Sequence, residues 1–325
     1  MYRQWLIRAA ALALALGIGI GVGFGAGAQE VPEKGENKTL KVNEVMRVGD
    51  KIITAEQLLA RIWDYENMLK PNERVLTPSL TYLRDTALLE LEGKRMSFSV
   101  TQAETNAETD KQLARIKEEL RIKTRGMVPY EKWLQEQNLT QEQFENYVRE
   151  RAHLILEKRV LVGYFEETTE SLEASHILHR KESDAKATYD MLKSTDANKL
   201  RDVFEDLAVQ RSIDPSAGVT KGRLPRLYQQ DGTLVKPAED AIWALKNMQY
   251  STPVQSDFGW HIFARWQTFT PEKKPLADLR EALIKSEDKE NDTERFNRWV
   301  RWVFNTQKYP MERRLPGWDT KADKP

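Results

Sequence analysis

Cysteine is absent from all 325 residues. That excludes thiolate nucleophiles and thiolate zinc sites, and it leaves no thiol for a lipoprotein-type lipid anchor. It does not decide the compartment, because an oxidising environment permits disulfides without requiring them and a chain this long can bury a core unaided. Net charge is missing too, since 50 Lys and Arg balance 50 Asp and Glu, so no basic surplus points to a nucleic-acid partner. Histidine is scarce at four, and no third ligand is suitably spaced to complete a metal site. No metal and no cofactor is expected. Internal repeats and long low-complexity tracts are lacking as well.

The one long apolar run lies at the start. Arg3 and Arg8 supply a positive flank, Ala9 to Phe24 is unbroken apolar and glycine sequence, and Ala26-Gly27-Ala28 has the small-x-small pattern of a signal-peptidase site. Two outcomes stay open: a signal peptide removed before Gln29, or an anchor over 9–28, since a spanning helix needs about 20 residues. Glycines at 17, 19, 21, 23 and 25 weaken such a helix. Either outcome carries the rest of the chain out of the cytoplasm, and any membrane contact runs through this segment.

Residues 29–41 read as a polar linker. A short extended piece over 42–53 leads into a helical region whose starts are marked. Thr54 with Gln57, Thr101 with Glu104 and Thr140 with Gln143 each fit the capping box, and Thr77-Pro78 reads as an N-cap followed by Pro at the first helical position. Phe144, Tyr147, Val148, Ala152, Ile155 and Val160 form one apolar face, with Glu145, Arg149, Glu150 and Lys158 between them. A helical domain over 42–172 is expected.

After Tyr164 the texture changes to a β-α-α-loop-α-β-β string over 173–268. Its strands are placed at 174–178, 253–256 and 260–266, with a turn at Asp257-Phe258-Gly259 and an irregular stretch over 212–226. Leu276 to Gln307 returns to helix, with a charged middle over 285–295 that reads as a solvated face. A lone amphipathic helix cannot hide its apolar side, so 275–310 is expected to pack on the first helices. The fold class is α+β, a discontinuous helical domain with an α/β domain inserted. Trp299 and Trp302, three apart, either pack in the core or line a groove for unfolded clients.

Several ordered motifs of the middle domain resemble the parvulin-type (PpiC-like) peptidyl-prolyl cis–trans isomerases. They are Glu-Ala-Ser-His-Ile-Leu at 173–178, Phe-Glu-Asp-Leu-Ala at 204–208, Ser-Ile-Asp-Pro-Ser-Ala at 212–217, Lys-Pro-Ala-Glu-Asp-Ala at 236–241 and Phe-Gly-Trp-His-Ile at 258–262. With helices on both flanks and an export segment, the whole is similar to the SurA and PrsA families of extracytoplasmic chaperone–isomerases. The resemblance implies a folding factor of the periplasm or another extracytoplasmic space, acting on unfolded or proline-containing polypeptides.

It also implies a site. His176 and His261 match two facing histidines, Asp214 an acid or thiol position, and Ser256 a hydroxyl position. Leu224 and Leu234 match walls of a proline slot, and Phe258 stands where a small hydroxyl residue is common. Ala238 stands where a phenylalanine usually forms the slot's floor, and Lys221-Gly-Arg-Leu-Pro225 departs from a glycine-rich turn. Prolyl isomerisation needs no nucleophile, only a slot for the ring and polar groups that favour the twisted amide over a barrier of about 18–20 kcal/mol. The residues alone leave a second reading, in which the two histidines satisfy each other and hold the sheet together. Three functions follow: an isomerase with chaperone helices, a holdase that keeps the fold without the chemistry, or an adaptor that docks peptides.

Overall fold

The computed structural model describes residues 43–68, 76–286 and 293–313. The expected export segment over 1–28, the expected linker over 29–41 and part of the charged run over 285–295 therefore lie outside the described residues. Among the described residues no helix is long and apolar enough to cross a membrane.

The chain opens on a hairpin, β1 (Glu44–Val48) and β2 (Lys51–Thr54), turned through Gly49 at φ +58°. Helices α1 (Ala55–Met68), α2 (Leu76–Arg95), α3 (Gln102–Thr124), α4 (Tyr130–Glu136) and α5 (Gln141–Thr168) follow. All three capping boxes form, each with its hydroxyl on the third backbone N–H and the Glu or Gln returning to the cap. Thr77 is not a cap: α2 begins at Leu76, and Pro78 sits in its first turn, where a missing N–H costs nothing.

The second unit runs β3 (Ser171–His179), α6 (Glu182–Lys193), α7 (Leu200–Arg211), α8 (Ala217–Thr220), β4 (Leu227–Tyr228), α9 (Lys236–Trp243), β5 (Gln249–Tyr250), β6 (Val254–Ser256) and β7 (Gly259–Phe269). Its sheet has the order β4-β3-β7-β5, with β6 also paired to β7. β3 and β7 are longer than their apolar motifs suggest and pair antiparallel along their whole length. Pairs directly opposite share a face. Ile177 and Ile262 therefore point to α6 and α7, where Phe204, Leu207 and Trp266 complete one core. His176 with Phe263, and Leu178 with His261, point the other way, toward α9. The stretch over 212–226, read as irregular, contains the single turn of α8.

The chain then returns to the helical unit as two helices rather than one, α10 (Leu276–Lys285) and α11 (Thr293–Gln307). Ser286 leaves the helix at ψ 138°, and its N–H and hydroxyl both donate to the Leu283 carbonyl. Both helices pack on α5. Arg280 grips Glu104 of α3 through two hydrogen bonds, 2.7 and 2.8 Å, and holds that carboxyl down at about 2. Arg295, at the end of the charged run, binds Glu166 of α5 at 2.9 Å, so this part of the run is an anchor and not a solvated face. Trp299 is buried at 2% exposure and Trp302 packs against Phe165 with centroids 4.6 Å apart and planes at 45°, so the pair takes part in core packing. The last strand, β8 (Met311–Arg313), pairs with β1 and closes the helical unit on itself.

Candidate active site

The site is built where the α9 face of β3 and β7 meets the loop between α7 and β4. Backbone pairing sets it up. Ser212 Oγ accepts from the Leu178 N–H at 3.0 Å, and the Ile213 N–H donates to the Leu178 carbonyl at 2.8 Å, so the loop starts alongside the end of β3. It comes back along the same strand, where the His176 N–H donates to the Gly222 carbonyl and the Leu224 N–H to the Ala174 carbonyl. The turn between takes positive φ at Lys221 (+57°) and Gly222 (+73°). Only glycine fits at 222, since a Cβ there would lie 2.5 Å from the His176 carbonyl oxygen. Pro225 falls after this turn, in the part that runs on toward β4.

The structure brings His176, Asp214, Ser256 and His261 together as two pairs. His176 Nε2 lies 2.7 Å from Asp214 Oδ2, and His261 Nε2 lies 2.7 Å from Ser256 Oγ. The two imidazoles stack with centroids 5.7 Å apart and do not hydrogen-bond each other, so the reading in which they satisfy one another is wrong. Asp214 is fixed by Ser216, whose N–H and hydroxyl both donate to Oδ1 at 2.7 Å. Ser256 is fixed by the two-residue turn to β7, where the Phe258 N–H donates to its oxygen at 3.1 Å.

Burial pushes both imidazoles down, His261 to about 4 with the neighbouring His176 adding to the effect, and His176 in spite of Asp214. Burial works against the Asp214 carboxylate, but the two bonds from Ser216 and the His176 ring outweigh it and hold its pKa low. At neutral pH, then, Asp214 is an anion and both rings are neutral. His176 carries its proton on Nε2, the atom facing the carboxylate. The Ser256 hydroxyl proton has its acceptor in His261 Nε2, which leaves the His261 Nδ1 side buried with no hydrogen-bond partner.

That titration has a sign. Between about 6.5 and 4 the unfolded chain takes up a proton at His261 that the folded chain refuses. Stability is therefore full above the unfolded value and falls as pH drops toward 4, by about 3 kcal/mol at most from this group. Thermal unfolding from pH 7 to 4 checks it: His261→Gln should flatten the decline, and an unchanged slope would mean the ring is not buried neutral.

The apolar part is a cluster of Leu172, Ala174, Leu227, Ala238, Ile242 and Phe263, with Leu224 and Leu234 packed at its edge. Ala238 is 2% exposed, and Phe258 does not fill the volume beside it. Phe258 sits at the tip of the hairpin turn and is 46% exposed. The aromatic ring of this cluster is Phe263, fully buried and stacked on His261 at 5.2 Å and 7°. Phe263 and Ser216 escaped the sequence reading. The two-residue alternation of β7 places Phe263 beside His261, a signal that was there to be used.

Residues 172–266 match the family described as Rotamase, PPIC-type PPIASE domain. The chain is 38% identical over 95 residues to the putative peptidyl-prolyl cis-trans isomerase Cbf2 of Campylobacter jejuni, covering 29% of this chain and 34% of that protein. It is 31% identical over 170 residues to the foldase protein PrsA of Halalkalibacterium halodurans, covering 48% of this chain and 45% of that protein. The chain thus spans less than half the length of these two relatives. The solution structure of NmPin, the parvuline of Nitrosopumilus maritimus, aligns at 35% identity over 30% of this chain and 98% of its own, with a TM-score of 0.26. Residues 172–266 thus form a domain similar to the PPIC-type (parvulin-type) peptidyl-prolyl isomerases, with PrsA-type foldases among the relatives of the chain.

Proposed function

We propose that this protein is an extracytoplasmic folding factor whose 172–266 domain catalyses prolyl cis–trans isomerisation, while its helical unit engages unfolded or proline-containing polypeptides. The observation that carries the reading is the facing pair of bonds, His176–Asp214 and His261–Ser256, each 2.7 Å, beside one apolar cluster. A proline ring held against Leu224 and Leu234, over the buried Phe263, would place its amide next to neutral imidazoles and one hydroxyl. Twisting that amide ends its conjugation and returns a lone pair to the prolyl nitrogen, and fixed dipoles favour the twisted form over the planar one. No bond need form to the protein. The N-terminal segment supports action outside the cytoplasm, and PrsA, one relative, is named a foldase.

A protease-coupled or NMR-exchange assay on a short proline peptide tests this. His261→Ala and Asp214→Ala should each lower kcat/KM by about ten- to a hundredfold, the worth of one good polar contact in the transition state. No acceleration by the wild type above buffer would end the isomerase reading. A second reading, a holdase without the chemistry, is favoured by Ala238 and by the distance of Phe258 from the cluster. Client-aggregation assays on the same full-length variants separate the two, because a holdase keeps its protective effect when both substitutions are present.

A further inference from the structure

Among the described residues, the two units meet around Tyr228, at the start of the loop that carries Leu234 of the apolar cluster. Tyr228 of β4 is 5% exposed, yet it packs in the core of the helical unit, 4.5 Å from the Phe165 ring of α5. Phe165 in turn holds Trp302 of α11 on its other contact, at 4.6 Å. Three side chains of α11 then grip the backbone on either side of β4, one before it and two in the loop that follows. Arg298 Nη1 donates to the Arg226 carbonyl (3.2 Å), Arg301 Nε to the Asp231 carbonyl (2.9 Å) and Asn305 Nδ2 to the Gln230 carbonyl (2.8 Å).

The loop is shaped to receive them. Asp231 is 2% exposed, and its carboxylate accepts from the Tyr228 N–H (3.1 Å) and the Thr233 N–H (2.8 Å) with Arg298 Nε 3.9 Å away. Gly232 takes φ +69° and has no Cβ, and one built there would come 2.8 Å from Arg301 Cδ, so the arginine stem lies flat on the backbone. Two residues on is Leu234, a wall of the apolar cluster. The other end of the loop is tied to α9, where the Gln230 N–H donates to Glu239 Oε1 at 2.6 Å, next to Ala238. Both Leu234 and Ala238 are thus within two residues of, or bonded through, a backbone group that is held directly or indirectly by α11.

We propose that α11 of the helical unit sets the width of the proline slot through this loop, with Arg301 and Asp231 as positioning residues for Leu234 and Ala238. The isomerase domain is then not an independent module: its affinity for proline segments depends on a helix that begins only at Thr293, well beyond the end of the domain. The physical reason is local. Residues 229–235 carry no strand or helix of their own, and their backbone carbonyls at 230 and 231 find their partners on α11, so removing a donor frees the wall to move.

The inference rests on the isomerase reading, and the test separates the two. Arg301→Met keeps the stem over Gly232 and removes the donor. In the full-length protein it should raise KM for a short proline peptide about fivefold, with kcat within about twofold and an unchanged pH profile. Asn305→Ala, on a half-buried position outside the core, should act in the same direction by about twofold and guards against misfolding of the first variant. A purely structural role would lower the active fraction, and so kcat, without moving KM. Wild-type catalysis with KM unchanged in both variants overturns the inference and leaves the isomerase reading standing. If the wild type does not catalyse, the isomerase reading falls and peptide Kd from NMR titration becomes the measure: weakening in Arg301→Met supports the inference, and equal or absent binding overturns it.

Discussion

Gly259→Ala is expected to lower the stability of the 172–266 domain by about 3 kcal/mol or more and to abolish the Ser256–His261 bond. Gly259 has φ +132°, a region that side chains rarely adopt, and a Cβ there would lie 2.3 Å from the His179 carbonyl oxygen. That oxygen is backbone at the end of β3, paired to β7, so it cannot swing aside as a flexible side chain would. The strain must be relieved by moving β7 away from β3 or by opening the two-residue turn at Asp257-Phe258. Either movement takes Ser256 from His261. For a domain of this size the loss corresponds to roughly 12–24 °C in Tm. Thermal unfolding with histidine NMR spectra checks both parts. A variant within 1 kcal/mol of wild type would mean the approach of Gly259 to His179 is looser than its geometry.

Phe263→Ala is expected to cost about 3–5 kcal/mol, the usual range for emptying a fully buried aromatic position. Its ring is 0% exposed and stacks on both imidazoles, at 5.2 Å on His261 and 6.2 Å on His176. The loss has a second consequence. Burial is the main reason His261 titrates near 4, and a cavity beneath the ring admits water and lets that value climb back toward 6.5. Phe263→Leu refills most of the volume, so it should cost less and move the titration less. An NMR pH titration of the His261 ring in the three proteins reads this order directly. A His261 value unmoved by Phe263→Ala would show that Phe263 is not what keeps the ring dry.

Much of the helical unit was legible because its signals are local. A capping box needs only a Thr and a Glu or Gln three residues on, and all three form. The strands β4, β5 and β8, two or three residues each, were missed because no periodicity can show in so few positions. Their pairing depends on partners far along the chain, β8 with β1 above all. The split between α10 and α11 was hidden for the opposite reason, since apolar faces at both ends resembled one helix. In the site, His176, Asp214, Ser256 and His261 could be named because they stand in family motifs. How they pair could not, since Asp214 reaches His176 across 38 positions and through a loop with no regular pattern.

What the sequence determined by itself is the α+β division, the three helix starts marked by capping boxes and the motifs of a parvulin-type domain, all readable from neighbouring residues. What the tertiary structure alone decided is which polar groups share a bond, which aromatic ring lies under them, and that α11 reaches back to hold the loop beside the apolar cluster. The physical reason is distance along the chain. Hydrogen bonds and packing act over a few ångströms in space, and only the folded backbone brings Arg301 to Asp231 or Phe263 to both histidines.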